Sequence, residues 1–174
     1  MQLKIAQLGQ SVLWQVAAEV PREQIVQQRL SDLLRDMTET LRHHKGAGLA
    51  APQVFTSLRV FLAMVEPPQE NAPAALEVFI NPKITPLTGE TARAWEGCLS
   101  FPELLVLVPR FRAVRIEYID AAGNERARDL HEFPARVVQH EFDHLEGILT
   151  IDRAESPRHI IKASEIDDVI EASQ

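Results

Sequence analysis

The stretch Gln139-His140-Glu141-Phe142-Asp143-His144 decides how the rest of the chain is read. On a helix, residues four apart project from one face, so His140 and His144 can hold one metal ion while Glu141 reaches a water on that ion. A divalent cation brings the pKa of such a water down towards ~7, within a carboxylate's range, and the trio therefore points to hydrolysis. The pattern alone also fits a surface helix with two incidental histidines, and its flanks separate the two readings. Pro134 suits a first helical turn and Gly147 the position just past a last one, which bounds a helix over residues 135–146. Val137, Val138, Phe142 and Leu145 surround the polar residues with apolar ones, so the helix is expected in the interior. There, each uncompensated polar group would cost about 1–3 kcal/mol, which argues that the polar residues are paired or coordinated.

At 174 residues the chain has room for one domain with a substantial core, and no stretch is long and apolar enough to span a membrane. The first residues, Met1-Gln2-Leu3-Lys4-Ile5-Ala6-Gln7, lack a basic flank followed by an apolar run, so no signal peptide is expected. The one cysteine, Cys98, excludes an intramolecular disulfide and suits a reducing, cytoplasmic setting. A net charge of −7 without a Lys/Arg cluster argues against DNA as a partner.

Upstream of the motif, Ile25, Val26, Leu30, Leu33, Leu34, Met37 and Leu41 recur at helical spacing, predicting one long amphipathic helix over residues 21–45 capped at Gly46. In that reading His43, His44 and Lys45 are a solvated last turn. Short β-prone runs follow at 58–65, 78–80, 104–108 and 113–119, separated by Pro, Gly and Asn. Val114, Ile116 and Tyr118 alternate with Arg115 and Glu117, as in a strand with one wet face. Residues 120–124 read as a turn into another extended segment, 66–73 as a surface loop, and 164–173 as a short helix. The expected fold is α+β: mostly antiparallel strands packed around a central HExxH helix, with a long N-terminal amphipathic helix. One catalytic domain over residues 1–174 would end in a short acidic tail over 163–174.

Two histidines call for a third ligand, because catalytic zinc-type sites use three protein ligands and leave one position open. An HExxHxxGxxH continuation fails, since Gly147 falls correctly but Thr150 stands where the third histidine belongs. Glu165, about twenty positions beyond His144, has the spacing of a metalloprotease glutamate ligand. Cys98, in Glu96-Gly97-Cys98-Leu99-Ser100, offers a thiolate suited to iron, zinc, nickel or cobalt beside imidazole, or is simply a small buried hydrophobe. A third segment, Gly46-Ala47-Gly48-Leu49-Ala50-Ala51-Pro52-Gln53, combines small residues that allow close backbone approach with a neutral amide donor at Gln53.

Taken in order, Gly46-x-Gly48-Leu49-Ala50-Ala51-Pro52-Gln53, Glu96-Gly97-Cys98-Leu99-Ser100 and Gln139-His140-Glu141-x-Asp143-His144-Leu145 resemble the three motifs of the bacterial-type peptide deformylases. The resemblance runs from Leu8-Gly9 and Val12-Leu13 to Ile151-Asp152. It implies a metal-dependent hydrolase that removes the formyl group, as formate, from N-formylmethionyl nascent peptides. It also implies one divalent ion per chain, Fe2+ in vivo, replaceable by Zn2+, Ni2+ or Co2+. Carried over by motif, Cys98, His140 and His144 would be the metal ligands and Glu141 the general base and acid. Gln53 and the Leu99 backbone N–H would stabilise the oxyanion, with Glu96 and Arg110 as partners behind the ligands.

For the methionine side chain, Val137, Arg136 and Phe133 lie three, four and seven positions before His140 on its helical stripe. Ala47 and Leu99 are expected to close that pocket, with Gly46 and Gly48 letting the peptide approach. The Arg136 guanidinium is expected to point to the rim and meet peptide carbonyls. Leu105 replaces an arginine that some relatives place near the peptide, and the acidic tail replaces a basic helix that docks others on the ribosome. Ribosome association is therefore expected to be weak.

Overall fold

The computed structural model describes residues 1–66 and 75–171, and in it the β-prone runs pair antiparallel into two sheets. One sheet has five strands, β1 (Gly48–Ala50), β2 (Val60–Met64), β3 (Leu76–Pro86), β6 (Ala113–Ile119) and β7 (Glu125–His131), in that spatial order. The other has three: β4 (Thr91–Gly97), β5 (Leu104–Phe111) and β8 (Ile160–Lys162). Four helices accompany them: α1 (Arg22–Val26), α2 (Ser31–His44), α3 (Glu132–Leu145) and α4 (Ile166–Glu171).

The position of α3 follows from the strands it covers. In β6, Val114, Ile116 and Tyr118 are buried while Arg115 and Glu117 are exposed, the alternation of a half-wet strand. With Phe61 and Ala63 of β2 and Phe79 of β3, these residues form an apolar floor on which Ala135, Val138 and Leu145 of α3 rest. Every residue of β2 is buried, because its opposite face, Val60 and Leu62, meets a second core built by Met37 and Leu41 of α2. A third core, including Leu13, Phe101, Val106, Val108 and Leu149, backs the three-stranded sheet and contains Cys98. Between the first and last of these cores α3 touches strands of both sheets.

The single helix expected over residues 21–45 is two helices. Gln28 has φ 52° and interrupts the path between α1 and α2. In one straight helix Ile25 and Leu30 would point about 140° apart. The break lets both face the core, where they are 2 % and 6 % exposed. Likewise the left-handed residue that ends α2 is Lys45, φ 53°, and not Gly46. Gly46 instead donates its N–H to Leu41 O at 3.2 Å, closing a Schellman-type end. The strand β4 was not expected, because its exposed alternation and small alanines carry little β signal. The loop expected at 66–73 lies, beyond Glu66, outside the described residues, as does the end of the expected 164–173 helix; α4 accounts for Ile166–Glu171 of the latter.

The turn at 120–124 is built by one carboxylate. Asp120 Oδ1 accepts from the N–H groups of Ala122 and Asn124, each at 2.9 Å, and Oδ2 from Arg126 Nε at 2.9 Å. Slight burial pushes this carboxyl up, but the hydrogen bonds from Arg126, Asn124 and Ala122 outweigh it and hold Asp120 at about 2. Its folded value thus lies below the unfolded one of roughly 3.9, so its contribution is complete above that pH and disappears as pH falls through the folded value. Asp120→Ala is expected to lower the unfolding midpoint by roughly 2–4 °C at neutral pH. In thermal scans from pH 6 downwards the gap to the wild type should close as pH falls towards about 2.

Candidate metal centre

Burial of α3 sets the site's problem, since its interior face carries Gln139, His140, Glu141, Asp143 and His144. Gln139 serves the architecture: its Nε2 donates to Phe111 O at 2.8 Å and its Oε1 accepts from Phe111 N at 3.1 Å, pinning the helix to the end of β5. His140 and His144 lie one turn apart, with ring centroids 5.2 Å from each other. Cys98 enters from just past β4 and places Sγ 3.4 Å from His144 Nε2. One ligand atom from each of Cys98, His140 and His144 lies within 4.8 Å of the others, and this is the only such group of three or more His, Cys, Asp or Glu side chains among the described residues.

Behind His140 stands Glu96, the last but one residue of β4. Its Oε2 meets His140 Nδ1 at 3.0 Å and Arg110 Nη2 at 3.0 Å, and its Oε1 accepts from Arg110 Nε at 3.1 Å and Arg136 Nη1 at 2.6 Å. Burial pushes the Glu96 carboxyl up, but His140 and Arg110 outweigh it and hold it at about 2. Arg110 also reaches Asp143, whose carboxylate is shared with Arg153 at 2.5 Å and 3.0 Å. Burial opposes a proton on His140, yet the Cys98 and Glu96 groups around it prevail and raise its pKa well above the ordinary value. Burial, reinforced by the charges of His140 and Arg110, pushes His144 well below its ordinary value. A thiol and two imidazoles gathered beside a carboxylate make a soft N/S donor set with one open side, which fits a single divalent ion.

Glu141 is buried beside these side chains, and among the described residues its Oε2 has no hydrogen-bond partner; nor has His144 Nδ1. Burial lifts the Glu141 pKa to about 7. Gln53 sits in a single turn, Ala51–Val54, where the Ala50 N–H donates to its Oε1 at 2.9 Å. That bond turns the amide NH2 inward, 3.5 Å from Cys98 Sγ and 3.2 Å from Ser100 Oγ. The Leu99 N–H makes no hydrogen bond among the described residues, while Leu99 O accepts from Gln7 Nε2 at 3.1 Å.

A cavity of 370 Å³ opens in front of the cluster. Of the residues expected at the site, Gly46, Ala47, Gly48, Gln53, Glu96, Cys98, Leu99, Phe133, Arg136, Val137, His140 and Glu141 line it. His144 and Arg110 lie behind this lining. Trp95, Pro102, His44 and Lys45 also line it and were not foreseen; the last two were taken for solvated helix end, although they directly precede Gly46. Ser100 and Arg153 were likewise missed. The Arg136 guanidinium, expected to meet peptide carbonyls, is engaged by the chain itself although the residue lines the cavity. It donates to Glu96, to Val108 O at 3.0 Å and to Ala92 O at 2.6 Å, so the chain itself occupies three of its five donors. Glu165 is exposed, bonded to Ser164 Oγ at 2.8 Å, and stands outside the cluster.

An HExxH helix and a neighbouring strand that join two imidazoles and a thiolate, with a carboxylate beside them and a cavity in front, define a metallohydrolase. The family described as polypeptide deformylase matches residues 2–159, and the chain belongs to that family, hydrolases that act on formyl-methionyl peptides. It is 41% identical to Peptide deformylase 2 of Nostoc sp., over 97% of this chain and 94% of that protein. With Peptide deformylase 1 of Nitrosomonas europaea it shares 45% identity over 83% of each. Among solved structures, a class I type b peptide deformylase from Acinetobacter baumannii superposes with TM-score 0.81 at 37% identity, covering 88% of this chain and 99% of that one. The Thermotoga maritima peptide deformylase gives 0.80 at 38% identity, over 90% and 99%.

Gly48 of β1 leaves no room for a side chain: a Cβ there would lie 2.7 Å from both Cγ and Cδ of Glu141 and still closer to Oε1. Gly48→Ala is expected to destabilise the chain by about 1–3 kcal/mol, as overpacking does. In urea unfolding, Glu141→Ala should recover most of that loss when combined with it, because the obstructing atoms are then gone.

Proposed function

We propose that this chain, as one catalytic unit over residues 1–174 with α3 as its central element, removes formate from the N-terminal formylmethionine of nascent polypeptides. The observation that carries the reading is the gathering of Cys98, His140 and His144 beside a Glu141 carboxylate whose Oε2 has no partner among the described residues, with one cavity in front. Cys98 Sγ and one nitrogen of each histidine would hold the ion. Such an ion, when bound, acidifies a water and polarises the formyl oxygen.

Glu141 has the position and proton affinity for a base that becomes an acid. With a pKa near 7 in the chain, it takes the proton of the attacking water and returns it to the departing amine nitrogen. The Gln53 Nε2 and the Leu99 N–H would meet the oxyanion, and the Ala50 bond to Gln53 fixes the amide before charge develops. Ala47, Val137 and Phe133 supply apolar walls for a methionine side chain, with Gly46 and Gly48 giving the peptide backbone access. Glu96 and Arg110 hold His140 with its Nδ1 engaged, leaving Nε2 for the ion.

Ferrous iron is the proposed native metal, with zinc, nickel or cobalt able to replace it, since the thiolate and imidazoles suit all four. The setting proposed is the cytoplasm, where Cys98 stays reduced, with no DNA or membrane partner. Contact with the ribosome is proposed to be weak, given a net charge of −7 and the acidic residues Asp167, Asp168 and Glu171 on α4.

Protein purified without oxygen is expected to release formate from a formyl-Met peptide with one metal per chain. Glu141→Ala should retain the metal and lose roughly 10²–10⁴-fold in kcat. Absence of formate release from the metal-loaded wild type would overturn the reading. Cys98→Ala is expected to lose the metal in equilibrium dialysis, whereas Glu165→Ala should keep it; the reverse result would favour a protease-like ligand set. Gln53→Ala should lower kcat roughly 10²-fold with the metal content unchanged.

A further inference from the structure

The Glu96 carboxylate has four hydrogen-bonding directions in its plane, and the structure fills all four. Arg110 takes one on each oxygen, His140 Nδ1 takes the second on Oε2, and Arg136 Nη1 takes the second on Oε1 at 2.6 Å. Arg136 stands four positions before His140, on the same face of α3. Helix and strand are therefore joined twice through one carboxylate, once by the ligand histidine and once by the arginine a turn ahead of it. The rest of the guanidinium is fixed by Ala92 O in β4 and Val108 O in β5, which lie on paired strands. Since β4 leads through Gly97 directly into Cys98, the arginine spans the helix that carries both histidines and the strand that delivers the thiolate.

We propose that Arg136 is a positioning residue for the metal centre, acting through Glu96 to hold His140 and through β4 to set the distance between α3 and Cys98. The proposal rests on the functional reading above. Without Arg136, one lone pair of a buried carboxylate has no donor, and Glu96 is free to turn about its remaining Arg110 fork. His140 Nδ1 then loses a fixed acceptor, and with it the orientation of the ring. A lysine keeps the charge but offers a point contact in place of a planar fork, so it cannot serve Glu96, Ala92 O and Val108 O together.

The test uses full-length protein loaded with Co2+, whose visible absorption reports ligand geometry, and measures metal loss to an excess of chelator. Arg136→Met is expected to shift the visible spectrum and to speed metal loss roughly 10–100-fold, the usual scale for removing a partner behind a ligand. On a formyl-Met peptide its kcat should fall while KM stays within about twofold, a split that follows from altered transition-state contacts with unaltered binding. Arg136→Lys should fall between it and the wild type. In a Glu96→Gln background Arg136→Met should have a clearly smaller effect than in the wild type, the part that passes through β4 remaining, since coupled residues are not additive.

An unchanged spectrum and metal-loss rate with a raised KM would make Arg136 a wall of the substrate cavity and overturn the proposal. Equal effects with and without the Glu96 carboxylate would overturn it as well. If Arg136→Met does not fold, the comparison is made with Arg136→Lys, and loss of folding in both would make the residue a structural brace only. A wild type that neither holds one metal nor releases formate would instead strike the functional reading itself.

Discussion

The constraint on which the structure depends is that α3, buried between two sheets, must find a partner for each polar head it carries. Gln139 takes the backbone at the end of β5, His140 takes Glu96, Asp143 takes Arg110 and Arg153, and His144 faces Cys98. Those partners come from β4, from β5 and from segments just past β4 and α3, so the three-stranded sheet is in effect the polar complement of the helix. The five-stranded sheet is its apolar complement, supplying Phe61, Phe79, Val114 and Ile116. One helix therefore sorts the chain into a greasy support and a charged one, and the group of Cys98, His140 and His144 lies where they meet.

The charged side is not best understood as a source of stability. Two buried carboxylates and the Arg110 guanidinium, 5–6% exposed in their side chains, have surrendered much of their hydration. Attraction in the interior roughly offsets that loss, so a well-packed apolar replacement would do about as well energetically. What such pairs provide is direction. Glu96 can accept from His140 along one line only when Arg110 and Arg136 hold its plane, and a ring so held presents its other nitrogen to a fixed point. Breaking the set on one side leaves an uncompensated charge, at a cost of roughly 3–5 kcal/mol, which makes the arrangement all-or-none.

Much of this was legible in the sequence because local chemistry and position coincide there. The alternation of Val114, Ile116 and Tyr118 with charged residues reports a half-wet strand, and Cys98 and Gln53 stand in short motifs whose residues the fold brings to one cavity. Other features were hidden because they depend on partners far along the chain. The helical stripe from Ile25 to Met37 is blind to a single residue at positive φ, so the break at Gln28 left no trace. Lys45 adopts the left-handed conformation although Gly46, next to it, has the residue type for it; close packing against Leu41 is what Gly46 serves. Helical spacing put Arg136 on the stripe of His140, and it lines the cavity, but spacing could not say that Ala92 O and Val108 O would claim its guanidinium. Ala92 O belongs to β4, whose small alternating residues announce nothing, and Val108 O to β5, which pairs with it.

Glu141 is the exception to the pairing rule, and the exception is informative. Its polar neighbours on α3 each have at least one partner, even His144, whose Nδ1 has none, whereas the Glu141 Oε2 is buried without a partner among the described residues, and Gly48 gives up a side chain to make room for the group. Such an orphan costs about 1–3 kcal/mol, a large share of the margin by which a domain is stable. A fold that satisfies Gln139, His140 and Asp143 so fully could have paired this carboxylate too, since arginines lie close by. Left unpaired, it is held by burial at a pKa of about 7, where gaining and losing a proton are nearly balanced. An ion pair of the kind that surrounds Glu96 would instead have locked it as a carboxylate, able to accept hydrogen bonds and unable to return a proton. The cost is thus placed on the group proposed to carry the proton, and the paired residues around it keep that group in place.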